Sequence, residues 1–214
     1  NLVRIAVMRI DFVRHGETDW NRIRRVQGRG PVPLNALGER QAERLGERYR
    51  GEKIDALYAS GLVRAMQTAK KIAETTGKEI VVDERLAEVD HGEVEGLMLP
   101  ELTAQFPDIL RLWSTSPDLV VYPGGEAVIE VQKRMVAALD DFRTRHMGEW
   151  LVVVSHQFAL SIIFTAILEA PLRRMRTFRL AAGSVTRFEW SDLGPQLVGY
   201  GMTAHLAGLD LRAI

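Results

Sequence analysis

Apolar residues along the chain repeat with two periods. Arg9 to Val13, Ile54 to Ala59, Glu79 to Val82 and Trp150 to Ser155 are short strand-like runs. Ser184 to Trp190 and Gln196 to Tyr200 alternate apolar and polar positions like a late pair of strands. Between them the spacing is helical. Leu34 to Arg50 places Leu37, Ala42, Leu45 and Tyr49 on one face. Leu62 to Thr76 is a second helix, with Ser60 as its expected N-cap and Gly77 as its stop. Leu99 to Trp113 is helical but broken at Pro107, Ala127 to His146 is long and amphipathic, and Phe158 to Leu168 is helical. Arg14 to Pro33, rich in Gly, Pro, Asn and Arg, reads as a loop, and YPGGE (Tyr122 to Glu126) as a turn.

Strands that alternate with helices predict an α/β three-layer sandwich, a mainly parallel sheet flanked by helices. At 214 residues the chain fits a single domain, 1–214, able to bury a large core. Gly92 to Pro123 breaks the alternation and reads as an insertion that covers one face and shapes the substrate site. Residues 1–7, ahead of Met8, read as an extension rather than as part of the first strand.

Composition then narrows the function classes. Apolar residues are 46% and charged residues 26% of a chain with zero net charge. That balance gives no bulk attraction to nucleic acid or to an anionic membrane, so neither is an expected partner. No apolar run approaches the ~20 residues of a membrane helix, and no secretory leader is evident, so a cytoplasmic location is expected. The absence of cysteine excludes disulfides, thiolate catalysis and cysteine-held metal sites. Of 28 basic residues, 23 are arginine, which raises the question whether some of them hold an anion.

Two strand endings answer it. FVRHGETDWN (Phe12 to Asn21) and LVVVSHQ (Leu151 to Gln157) each finish an apolar run with a histidine. Ligands in open α/β sheets bind beyond the carboxyl ends of strands. If the two strands are neighbours, His15 and His156 face each other there, with Arg14 beside them. Arg64, in the first turn of the helix after the second strand, points to the same edge. Each residue alone reads as an ordinary loop or helix residue. Together, two arginines and two histidines form a site for a compact anion, and phosphate fits their donor geometry.

RHGET (Arg14 to Thr18) followed by Trp20-Asn21 resembles the signature of the histidine phosphatase superfamily, the family of the phosphoglycerate mutases and many small phosphatases. The resemblance continues in order through Gln27-Gly28, Pro33-Leu34, SGLVRAMQTA (Ser60 to Ala69), LAEVDHGEVEG (Leu86 to Gly96), PGGE (Pro123 to Glu126), VVVSHQ and MTAHL (Met202 to Leu206). It implies a phosphoglycerate mutase-like fold and, residue by residue, a set of roles. His15 matches the nucleophile, and Glu88 the proton donor. Arg14, Arg64 and His156 match the groups that hold the phosphoryl. Asn21, Gln27, Gly28, His91 and Gln157 are assigned to substrate binding.

The implied reaction is hydrolysis of a small phosphomonoester through phosphohistidine, with no metal and no cofactor. Neighbouring arginines should keep His15 neutral, a backbone carbonyl should fix its tautomer, and a protonated His156 is expected on the phosphoryl oxygens. A glutamate among arginines suits a base better than an acid, a tension for Glu88. The short stretch between Glu88 and His156 is similar to the phosphatase branch, with a mutase as the alternative. A non-catalytic phospho-ligand module and a metal-dependent hydrolase using His15, His91 and His156 are further alternatives.

Phosphoserine, phosphoglycerates, sugar phosphates, α-ribazole phosphate and broad specificity all fit as substrates. The pocket beyond the phosphate is expected from Arg22 to Arg29, the insertion and the chain's end. The sequence departs from the family pattern at GPVPL (Gly30 to Leu34), at Val94 and at GMTAHL (Gly201 to Leu206), which touch specificity rather than chemistry. A homodimer through an edge strand is a plausible assembly.

Overall fold

The computed structural model describes residues 6–209. Among them, strands β1 (Met8–Arg14), β2 (Ala56–Ala59), β3 (Ile80–Val82), β4 (Trp150–Ser155), β5 (Val185–Ser191) and β6 (Gly194–Met202) form one sheet in the order β3-β2-β4-β1-β5-β6. β3, β2, β4 and β1 are parallel, whereas β5 and β6 add an antiparallel edge. The helices are α1 (Asp19–Arg22), α2 (Ala36–Tyr49), α3 (Val63–Thr76), α4 (Leu99–Gln105), α5 (Pro107–Thr115), α6 (Val128–Arg145) and α7 (Gln157–Ile167). β1 begins at Met8, so residues 6 and 7 stand outside it, and residues 1–5 lie outside the described residues.

The three layers follow from the alternation of side chains. On one face, Val13, Leu57, Val152 and Val154 pack against Leu45 and Tyr49 of α2 and Ala65, Ala69 and Ile72 of α3. On the other, Ile10, Phe12, Leu151 and Val153 meet Met135, Leu139 and Phe142 of α6 and Leu160, Ile163 and Phe164 of α7. A strand covered on both faces reads as an unbroken apolar run, which explains VVV in β4. No described helix is long and apolar enough to cross a membrane.

Local chemistry sets the boundaries. Asn35 caps α2 by accepting from the N–H groups of Leu37 and Gly38, at 3.0 and 2.9 Å. Gly77 ends α3 in the left-handed region with φ 69°. Two expectations are corrected. The loop after β1 contains α1, because the Thr18 and Asn21 side chains cap each other's backbone N–H groups. Ser60 is not the cap of α3: Leu62 holds that position without a side-chain bond. The Ser60 hydroxyl is used by the site instead.

Residues 92–123 contain α4 and α5 between two 3-10 turns. Neither helix buries a whole residue, yet Leu102, Ile109, Leu112 and Trp113 pack onto the α6/α7 side of the core. The segment roofs the carboxyl edge of the sheet.

Candidate active site

β1 and β4 are hydrogen-bonded neighbours, with Arg14 opposite Ser155. The His15 N–H continues the ladder to the Ser155 carbonyl at 3.0 Å. The next residue after each strand therefore stands beside its counterpart, and the rings of His15 and His156 lie 5.1 Å apart. Both are buried.

The partners of His15 assign its tautomer. Nδ1 is 2.6 Å from the Gly16 carbonyl oxygen, which can only accept, so Nδ1 carries the proton. Nε2 is 3.2 Å from Nε of Arg64, a guanidinium that can only donate, so Nε2 holds the lone pair. Burial first, then Arg64 and Arg14, hold the pKa of His15 well below 6.5. The ring is a neutral imidazole at neutral pH, with its lone pair on Nε2.

Arg64 spends its other nitrogens on the loop after α1, donating to the Gly28 carbonyl at 2.7 Å and the Gly30 carbonyl at 3.1 Å. Arg14 donates to the Leu180 carbonyl and to Gln157 Oε1. Burial lowers its pKa to about 10, so it remains a cation at neutral pH. His156 bonds the Ser60 hydroxyl through Nε2 at 2.8 Å. Burial, then Arg64, pushes its pKa well below 6.5. The expected protonated His156 is therefore corrected: this imidazole is neutral. Arg14 Nε and His156 Nδ1 are buried without a protein partner. Such atoms ordinarily cost ~1–3 kcal/mol each, and a phosphoryl oxygen suits a guanidinium or imidazole N–H.

Glu88 enters from the opposite side. Its Oε1 accepts from the Val89 and Ala159 N–H groups at 3.0 and 2.9 Å, and its Oε2 from the Phe158 N–H at 3.1 Å. The carboxylate thus sits at the N-terminus of α7, where N–H groups point outward and favour an anion. Arg134 of α6 clamps the backbone that carries it. Nη1 donates to the carbonyls of Arg85 and Ala87, both at 2.7 Å, and Nη2 to that of Glu88 at 3.0 Å. Glu126, in the PGGE turn, pairs with the same arginine at 3.0 Å and accepts from the Asp90 N–H.

A cavity of about 270 Å3 opens above His15, Arg14, Arg64 and Glu88. Asn21, Gln27, Gly28, His91 and Gln157 all line it, but they offer different things. Asn21 commits its carbonyl oxygen to Thr18, which leaves its amide N–H2 as the group facing other partners. Gln27 Oε1 accepts from the Thr18 hydroxyl, and Gly28 contributes the carbonyl that holds Arg64. His91 packs edge-on to Tyr122 at 4.5 Å, and burial takes its pKa to about 4, so it presents a neutral ring. Gln157 is fully engaged by the protein. Its N–H2 donates to Ser161 and the Phe178 carbonyl, and its oxygen accepts from Leu180 and Arg14. That saturation makes it a support for Arg14 rather than a substrate ligand.

The rest of the wall is mostly apolar, formed by Trp20, Val26, Leu102, Ile109, Trp113 and Phe158. Of the arginines in the stretch Arg22 to Arg29, Arg24 and Arg25 line the cavity, whereas Arg22 and Arg29 do not. Of the chain's end, none of the described residues 200–209 lines the cavity, and residues 210–214 lie outside the described residues. The His205 ring bonds the Gly183 carbonyl at 2.9 Å instead. Among the described residues no group of three or more His, Asp or Glu side chains is gathered as a metal site. Sequence reasoning missed Ser60, Arg134 and the Trp113–Phe158 pair. Only Arg134 left a signal, as an arginine placed beside Val131 and Met135 of the buried face of an amphipathic helix.

A sheet edge with this set of groups defines a class, and comparison with known proteins supports it. The profile of the histidine phosphatase superfamily (branch 1) matches residues 10–203, and the chain belongs to that family. Phosphoserine phosphatase 1 of Hydrogenobacter thermophilus is 30% identical over 207 residues, covering 97% of this chain and 98% of its own. A probable phosphoglycerate mutase, GpmB, of Yersinia enterocolitica is 35% identical over 205 residues, covering 94% and 95%. Among solved structures, Bacillus stearothermophilus YhfR superposes with a TM-score of 0.88 at 30% identity, covering 93% of this chain and 99% of that one.

Proposed function

We propose that the chain is a phosphomonoesterase that transfers the phosphoryl group of a small metabolite to Nε2 of His15 and then hydrolyses the phosphohistidine. The observation that carries the reading is the pair of bonds on His15. One locks its proton on Nδ1, and the other leaves the Nε2 lone pair beside a guanidinium. Arg14 and Arg64 supply positive charge for the equatorial oxygens, and His156 contributes a neutral N–H donor at Nδ1, with the Ser60 hydroxyl donating to Nε2. Fixed charges of this kind carry most of the catalysis of phosphoryl transfer. Because guanidinium cations occupy the place where a metal would act, the chemistry needs no divalent ion.

Glu88 lies across the cavity and acts on the oxygens that leave and attack. It gives a proton to the departing alkoxide, then takes one from the water that cleaves phosphohistidine. Its three backbone N–H partners leave the tension over the acid role in place. The proton for the first step is best supplied by the incoming phosphate group, delivered to Glu88 as substrate binds.

The apolar wall of Trp20, Trp113, Tyr122 and Phe158 supports a substrate whose body is flat or apolar. A three-carbon polar acid would leave those rings wet, and this argues for hydrolysis of such esters over a dedicated phosphoglycerate mutase. A panel of phosphomonoesters assayed with and without a chelator tests the reading. Aryl and other apolar esters should lead, and activity should survive the chelator. Chelator-sensitive turnover, or isomerisation of phosphoglycerate exceeding all hydrolysis, would contradict it.

A further inference from the structure

Beside the reaction pocket lies a second depression of about 810 Å3. Its walls are the end of α5, the start of α7 and the segment Arg173 to Leu180. Arg173, Arg174, Arg176 and Arg179 line it, and no aspartate or glutamate does. All four are exposed, and among the described residues none is in an ion pair, whereas exposed Arg50, Arg111 and Arg143 each pair with an acid one turn away. Arg176 spends part of its fork on the Trp113 and Ser114 carbonyls. Like charges crowded on one short segment repel, and Arg173, Arg174 and Arg179 have no acidic partner among the described residues to offset that repulsion.

The groove is joined to the site where His15 acts. Arg14, Trp113, Gln157 and Phe158 line both depressions. The arginine segment is also bonded to Arg14 itself, through the Leu180 carbonyl. Gln157 ties in the same segment, accepting from Leu180 N–H at 3.0 Å and donating to the Phe178 carbonyl at 2.8 Å. The Trp113 and Phe158 rings, 4.9 Å apart and edge to face, form the partition between the two depressions.

We propose that this arginine-lined groove is a subsite for a second anionic group, a carboxylate or a phosphate, carried by the substrate whose phosphoryl group is transferred at His15. The inference rests on the phosphatase reading and extends it from an apolar body to a body with an anionic far end. Guanidinium forks match carboxylate and phosphate oxygens, and a groove of one sign attracts such groups before contact. Exposed charges are screened, so the effect must be sensitive to salt.

The test compares phenyl phosphate with phenyl phosphates that carry a carboxylate on tethers of increasing length. At low ionic strength kcat/KM should favour a carboxylated ester, with one best tether length. That preference should fall about tenfold in the triple variant Arg173→Gln, Arg174→Gln, Arg179→Gln, and should fade as salt is added. Calorimetric Kd values for the matching non-hydrolysable phosphonates should show the same preference. They keep the inference testable if turnover, and with it the phosphatase reading, fails. A preference that survives the triple substitution overturns the proposal. So does a flat tether series in which a free dicarboxylate still inhibits phenyl phosphate turnover, because the groove would then serve a separate anion.

Discussion

At the scale of residues, the reactivity of His15 is decided by Gly16 twice. Its carbonyl takes the Nδ1 proton, and its missing side chain lets the loop lie against α2. A Cβ on Gly16 would stand 2.5 Å from the Gly38 carbonyl oxygen and 3.0 Å from the Gly38 Cα. Gly16 is not in the left-handed region. Close approach is what requires it. Gly16→Ala should cost about 2 kcal/mol or more, since backbone and not a flexible side chain must move. It should also lower kcat by disturbing the Nδ1 bond. The midpoint of denaturant unfolding and the turnover of an aryl phosphate measure the two effects. An unchanged midpoint would contradict the close packing.

At the scale of elements, the sheet positions His15, the proposed nucleophile, and a helix positions Glu88, the proposed acid/base. β1 and β4 deliver His15 and His156 through paired backbone. Glu88 lies on a segment without regular structure, so its place depends on Arg134 of α6 and on the α7 N-terminus. Arg134→Gln removes donors from three carbonyls and leaves Glu126 paired with Arg29 alone. A displacement of Glu88 of the order of an ångström should lower kcat by about 10- to 100-fold, with a smaller change in KM. A shifted pH profile of kcat would mark an effect through Glu88. A change in KM alone would count against the clamp.

For the whole molecule, buried neutral histidines link stability to pH. His15, His91, His156 and His205 all have folded pKa values below 6.5, about 4 for His91 and His205. As pH falls below 6.5 the unfolded chain takes up these protons before the folded one does, so stability rises with pH across that window. Tm should be lower at pH 5 than at pH 7.5. His205→Gln, away from the reaction pocket, should flatten the slope. A Tm that rises on acidification would contradict the neutral site.

The same scale shows what sequence could reveal. The strands, the order of motifs and the meeting of His15 with His156 were legible because strand period and the rule for carboxyl ends need only local pattern. Ser60, Arg134 and the Trp113–Phe158 wall were not. Each acts on a partner distant in sequence, and a serine or arginine reads the same whether it faces water or a buried carbonyl. His156 was read as charged from the phosphoryl oxygens expected beside it, while the depth of its burial, which disfavours the charged ring, could not be read from the sequence.

The central claim is a phosphoryl group on His15. A single-turnover reaction with an isotopically labelled aryl phosphate, quenched in alkali where phosphohistidine survives, tests it most directly. The account predicts label on the peptide containing His15, lost on chase with water, and neither label nor turnover in His15→Ala. Full turnover by His15→Ala, or label carried by another residue, would contradict it.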